Sequence, residues 1–398
     1  MLRSRVMLPL RCRNRAQAPP GPRLLDGPAG SRDNPAMNAL SFHAGPRALA
    51  HIRAHGLQAR DVAVVPAAAG GPKGLILQSL DQHLFGEWLP AAPRERALVG
   101  SSIGAWRMAA ACHADPVAAF ARLGQRYTEQ RYDTLNPTPR QIDAVCKELL
   151  AGFIGGHEHE VVNHPHHRLH LLTVRGRRAL SDPRHRHAEL AGFAAASLLN
   201  LASRARLAQL LERVVVSDAR GAPAWMAERF DSFTTHFSRL DAANLGSALL
   251  ASGTLPLVMQ PVRDLAGAPP GAYWDGGIID YNLALPYSRL APGELVLYPH
   301  FHAHIVPGWL DKALPWRQAA KGTNHGWLDN VLIAAPTPAF VASLPRAKLP
   351  DRKDFKYFGL DQDARIRHWN QAIGEGQRLR DAFAAFAANP DSRRIVPI

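Results

Sequence analysis

"ALVGSSIGAW", residues 97–106, sets a short apolar run before Gly100-Ser101-Ser102-Ile103-Gly104 and the start of an apolar stretch of helical composition. It reads as a strand turning sharply into a helix around a serine, with glycines two residues to either side that free the backbone to turn. G-x-S-x-G alone decides little, because ordinary residue frequencies produce it by chance in about one chain in seven of this length. The flanks decide more. Upstream, "ALAHIRAHGL" (48–57) reads as a short helix closed by Gly56, and "VAVVPAAAGG" (62–71) as a buried strand running into glycines. "LILQSLDQHLFGEWL" (75–89) then places Leu75, Leu77, Leu80, Leu84 and Trp88 near helical spacing. Downstream, "RLHLLTVRG" (168–176) is a further apolar strand. Strand, glycine turn and helix, repeated, predict a three-layer α/β/α sandwich around a mostly parallel sheet. Reactive groups in such sheets lie at the carboxyl ends of the strands, where both glycine-bearing turns fall.

The 398 residues are 46% hydrophobic and 20% charged, a globular balance. Three cysteines, Cys12, Cys112 and Cys146, form no C-x-x-C pair, which excludes a disulfide framework or a cysteine zinc site and favours a reducing compartment. The net charge is +14, but residues 1–36 hold seven arginines against Asp26 and Asp33, so +5 of it belongs to them. That Arg/Pro-rich stretch lacks apolar periodicity and reads as a disordered tail, leaving residues 37–398 as a single domain. It also lacks the apolar segment of a secretory signal. The longest uncharged stretch, residues 242–262, is broken by polar residues and two prolines and does not read as a membrane span. The expected setting is cytoplasmic, with peripheral contact to anionic membrane. Nucleic acid is not an expected partner, since no aromatic-basic recognition motif accompanies the charge.

Two further motifs bear on chemistry. Gly70-Gly71-Pro72-Lys73-Gly74 is not a phosphate-binding P-loop, because Lys73 is followed by glycine where that motif needs Ser or Thr. Glycines at a strand end still let backbone N–H groups converge on an anion, and Lys73 adds positive potential. Farther on, "LLASGTLPLVMQPV" leads to "GAYWDGGIIDYN", which sets Asp275 directly before Gly276 and Gly277. Taken alone, that is an Asp-anchored turn.

In this order, a glycine loop with a basic residue, a G-x-S-x-G elbow, "ASGTLP" and "WDGGIIDYN" resemble the patatin-like phospholipase family over residues 60–300. The resemblance implies a Ser102–Asp275 dyad: Ser102 attacks an ester carbonyl and Asp275 takes its proton with no intervening histidine. Gly70 and Gly71 would give the oxyanion hole, with the Ile103 N–H as a further donor. Lys73, Gly74, Gly100, Gly104, Gly276 and Gly277 would support these motifs. The implied substrate is a lipid ester, phospholipids leading and acylglycerols next, with no metal and no cofactor. Two departures stand out: Ala69 where three glycines are common, and Lys73 where arginine is commoner. Residues 300–398 do not fit the family's core and are expected to shape the acyl pocket or cover its entrance. Within them, "GQRLRDAFAAFAAN" puts Leu379, Phe383 and Phe386 on one face of a docking helix.

Nineteen histidines raise two alternatives. His300, His302 and His304 would share one face of a strand able to catch zinc, whereas "GGHEHEVVNHPHHRLH" (155–170) reads as a polar connection. Ser102, Asp275 and His300 also occur in the chain order of an α/β-hydrolase triad. Beyond hydrolysis, the same acyl-serine could pass its acyl group to an alcohol, or the scaffold could bind lipid without catalysis.

Overall fold

The computed structural model describes residues 39–319 and 326–398. The Arg/Pro-rich stretch of residues 1–36 lies outside these described residues.

Among the described residues eleven strands form one sheet: β1 (Leu40–Ala44), β2 (Val62–Ala67), β3 (Arg96–Ser101), β4 (His167–Gly176), β5 (Leu211–Ser217), β6 (Thr235–Arg239), β7 (Val262–Arg263), β8 (Ala272–Asp275), β9 (Leu295–Pro299), β10 (Val331–Pro336) and β11 (Ile395–Pro397). The main path runs β11-β1-β10-β9-β2-β3-β4-β5-β6, with β8 on β4 and β7 on β8. Pairing is parallel through the centre, from β10 by way of β9, β2 and β3 to β4. The architecture is the expected α/β/α fold with a mostly parallel sheet. Every residue of β2, β5, β9 and β10 is buried, as strands covered by helices on both faces require. Pro66 has no N–H to give a ladder, yet it is tolerated in β2 because pairing with β9 ends at Val64.

The helix closed by Gly56 is present as Pro46–His55, with Gly56 at φ 73°. The single helix expected over residues 75–89 is instead a 3-10 stretch (Gly71–Leu77), an α-helix (Gln78–His83) and a π-turn (Leu84–Trp88), where Leu89 N–H reaches back to the Leu84 carbonyl. The C-terminal helix Gln377–Ala388 buries Leu379, Phe383 and Phe386, and Phe386 stacks on Phe42 of β1 with ring centroids 3.8 Å apart. Residues beyond 286 thus supply β9, β10 and β11 as well as a covering helix; they complete the sheet, a role the sequence reading did not foresee.

β4 decides where the chemistry sits. Its first half pairs with β3 in parallel as far as Ser101 opposite Leu172, and its second half pairs with antiparallel β8 from Asp275 opposite Thr173. Two strands therefore run head-on along one edge of β4 and stop at adjacent residues. A strand advances about 3.3 Å per residue, so Ser102 and Asp275 are brought within reach by register alone.

Candidate active site

Ser102 follows β3 and precedes the helix Ile103–Ala110, at φ 57° and ψ −130°. A non-glycine residue held there stores about 1–3 kcal/mol of strain. The neighbours impose it. A methyl group on Gly100 would overlap Ala105, and one on Gly104 would overlap the Ala67 carbonyl of β2, so both positions admit only glycine. The strained N–H of Ser102 donates to Ser252 Oγ at 2.9 Å, and that hydroxyl donates to the Leu172 carbonyl of β4 at 2.7 Å. Below the elbow, buried Arg107 pairs with Asp81 through two bonds of 2.7 and 2.8 Å, locking the elbow helix to Gln78–His83.

Asp275 ends β8. Its N–H donates to the Thr254 carbonyl, and its Oδ1 accepts from the Gly277 N–H at 2.7 Å. The other carboxylate oxygen, Oδ2, accepts from Ser102 Oγ at 2.6 Å. Burial pushes Asp275 above the usual carboxylate range, while the Ser102 hydrogen bond, the Arg352 charge, the Gly277 N–H and the Lys312 charge pull it back. A Cβ on Gly276 would overlap the Leu172 carbonyl, and one on Gly277 would lie 2.6 Å from the Ala69 methyl. The methyl that replaces the first of three glycines is thus accommodated by Gly277.

The rest of "WDGGIIDYN" is structural. Trp274 packs edge-on against Phe193, Asp280 takes two bonds of 2.7 and 2.9 Å from Arg213 of β5, and Asn282 holds the Val306 N–H.

Gly70 and Gly71 begin the 3-10 stretch, and Ile103 begins the elbow helix, so their N–H groups fall in first turns that have no intrahelical acceptor. A Cβ on Gly70 would sit 2.5 Å from the Phe301 ring. Gly74 packs near Ile103 and Arg107. Lys73 Nζ meets His302 Nε2 at 3.2 Å and lies 5.6 Å from the Phe301 ring centroid.

Two cavities meet at Ser102. One, about 380 Å³, is lined by apolar and aromatic side chains including Ile103, Trp106, Leu149, Met259, Trp309 and Phe355. The other, about 460 Å³, holds Gly70, Gly71, Lys73, Asp275, Lys312 and Arg352 around the same serine. Residues beyond 300, Trp309 and Arg352 among them, help wall both. Trp309, Lys312 and Arg352 carry no local motif and were missed by sequence reasoning; Ser252 and Thr254 were quoted within "ASGTLP" without a role.

The histidine readings change. β9 ends at Pro299, so His300, His302 and His304 lie on an irregular segment and not on one strand face. His300 engages the His302 backbone through Nδ1 and stacks on Phe301, and no histidine lines either cavity at Ser102 among the described residues. The 155–170 connection contains a short helix, Glu158–Val162. Ligand atoms of His157, Glu160 and His113 come within 4.8 Å of one another there, but Arg122 stands 3.2 Å from His113 Nδ1, where its charge opposes a metal cation.

The elbow serine thus hydrogen-bonds directly to a buried aspartate at the centre of a mostly parallel α/β/α sheet. Residues 89–286 match the family model described as Patatin, patatin-like phospholipase, so this stretch is a patatin-like phospholipase domain whose family is one of lipid acyl hydrolases. The match contains Ser102 and Asp275 but begins after the Gly70–Gly74 loop and ends before β9. Comparison with curated proteins and with solved structures found no match. Among the described residues no helix is long and apolar enough to cross a membrane.

Proposed function

We propose that residues 37–398 act as one catalytic domain that hydrolyses carboxylic esters of lipids through an acyl-Ser102 intermediate. The 2.6 Å hydrogen bond from Ser102 to Asp275 carries this reading. Asp275 accepts the hydroxyl proton as Oγ bonds to the ester carbon. The carbonyl oxygen becomes an oxyanion facing the N–H groups of Gly70, Gly71 and Ile103, where each donor is worth about two to three orders of magnitude in rate. Collapse breaks the ester C–O bond, and protonated Asp275 returns its proton to the departing alkoxide. Water then attacks the acyl carbon as Asp275 takes its proton; the bond from the acyl carbon to Ser102 Oγ breaks, Asp275 returns the proton to Oγ, and the fatty acid is released.

Burial serves this cycle by making Asp275 a stronger base than a solvated carboxylate. The apolar cavity suits the acyl chain and the polar one the alcohol portion. In this reading the enzyme works in the cytoplasm, with peripheral contact to anionic membrane supported by the basic surface.

The test is product analysis on dispersed lysophospholipid and monoacylglycerol, with and without added glycerol. Free fatty acid formed by the unmodified chain and absent with Ser102→Ala supports hydrolysis. Acylglycerol accumulating in its place would show transfer, and neither product from folded protein would leave lipid binding alone.

A further inference from the structure

The polar cavity carries unneutralised positive charge. Lys73, Lys312, Arg352 and Lys353 all line it, with Asp275 and Asp351 as its only carboxylates. Asp351 is already committed: its Oδ1 lies 3.0 Å from Lys348 Nζ and also accepts the Lys353 N–H at 2.8 Å. Asp275 is occupied by Ser102 and the Gly277 N–H. None of the four cations has a carboxylate within 4.0 Å among the described residues. Lys73 meets only the His302 ring nitrogen and the Phe301 face, and Lys312 lies 3.8 Å from the Tyr281 ring centroid. Arg352 closes over the glycine loop, where a Cβ on Gly71 would lie 3.1 Å from its Nε. Lys73 is half-buried and the other three are exposed at the cavity's mouth; the buried Arg107 and Arg213, by contrast, are paired with Asp81 and with Asp231 and Asp280.

Four like charges beside two carboxylates that are already bonded elsewhere leave a net positive cavity, an arrangement that an anionic ligand balances. The arrangement is local to the reacting end: all four line the cavity that holds Ser102 and Asp275, and Arg352 also borders the apolar one. We propose that this compartment is an anion site for the alcohol portion of the substrate, selecting lipid esters whose headgroup ends in a phosphate monoester over those with a neutral headgroup. The inference rests on the hydrolase reading above and deepens it. Lys312 and Arg352 act in two ways, holding the headgroup oxyanion and lowering the proton affinity of Asp275. Lys312 itself is pushed down to about 8, first by burial and then by the charges of Lys73 and Arg352, which shows how crowded the positive field is. An arriving phosphate relieves that crowding. All four cations lie outside the stretch matched by the family, Lys73 before it and the other three after it.

The test compares kcat/KM for 1-oleoyl lysophosphatidate and 1-monooleoylglycerol in neutral detergent micelles, where the two differ only by the phosphate. The unmodified protein should prefer the phosphate-bearing ester by at least about tenfold, equal to about 1.4 kcal/mol. In Lys312→Gln/Lys353→Gln that ratio should fall toward one; because a ratio is read, any change in overall activity cancels. Glycerol 3-phosphate should inhibit more strongly than inorganic phosphate if the site takes a headgroup, whereas equal inhibition by both would show a site for the free ion and overturn selection of substrate. Equal rates on the two esters with the unmodified protein would overturn the inference and leave the hydrolase reading intact. Hydrolysis of neither ester would overturn both.

Discussion

The stretch matched by the family and the C-terminal stretch beyond it divide the labour of one site. Residues 89–286 supply the elbow, Asp275 and β4, on whose edge the two meet. Residues 287–398 supply β9, β10 and β11, together with Trp309, Lys312, Arg352 and Phe355 on the cavity walls. The first region fixes a reaction geometry through backbone constraints that few residues satisfy. The second surrounds the same serine with apolar surface on one side and positive charge on the other. Ser102 and Asp275 are held by glycines and strand register, while the cavity walls around them are long side chains outside the sheet.

That division breaks most sharply at the dyad. Ser102→Ala should remove lipid ester hydrolysis by at least about a thousandfold, and Asp275→Asn should do comparable damage because the geometry survives while the base is lost. Thermal unfolding should show both variants folded. Gly104→Ala tests whether the constraint is backbone: its methyl group has no room beside the Ala67 carbonyl, so we expect a loss of about 3 kcal/mol or more, seen as a lowered denaturation midpoint. A Gly104→Ala protein of unchanged stability and activity would contradict the account of the elbow.

Smaller effects sharpen the comparison. Ser252→Ala removes the acceptor for the strained Ser102 N–H and should cost about 1–3 kcal/mol of stability, with kcat falling more than KM rises. For pH, Asp275 must be ionised to act. Its affinity for protons is raised by burial, so activity should fall with decreasing pH while still above the ordinary aspartate range near 3.9. Arg352 and Lys312 oppose that rise, with the Ser102 hydroxyl and the Gly277 N–H on the same side. Arg352→Gln should therefore move the acid limb to higher pH, and an unmoved limb would detach that residue from Asp275. The mildest effect is on stability. A carboxylate with raised pKa destabilises the fold once pH exceeds that pKa, so Asp275→Asn should unfold at a slightly higher temperature near neutrality.

The comparison also explains what the sequence made legible. Ser102 and Asp275 could be read because each sits in a short segment marked by glycines that close packing demands, Gly100 against its own turn and Gly104, Gly276 and Gly277 against Ala67, Leu172 and Ala69 of neighbouring segments. The apolar runs of β2 and β4 were legible because strands covered on both faces are apolar along their length. Lys312 and Arg352 were not, since nothing near them in sequence marks a site and only the sheet's topology brings them to the glycine loop. The His300–His304 segment failed differently. Alternating histidines mimic a strand face, but β9 stops at Pro299 and the chain folds back on its own backbone. The helix over residues 75–89 was correct in place and wrong in regularity, because its glycine-proline start favours a 3-10 turn and its end carries a π-turn.

The central claim is that Ser102 is activated by Asp275 without a histidine. Intact-mass measurement after fluorophosphonate treatment tests it most directly, on the unmodified protein, Ser102→Ala, Asp275→Asn and His300→Ala. The account predicts one adduct on the unmodified protein and on His300→Ala, none on Ser102→Ala, and strongly slowed labelling of Asp275→Asn. Labelling that survives Ser102→Ala, or that is lost in a folded His300→Ala while Asp275→Asn still reacts, would contradict it.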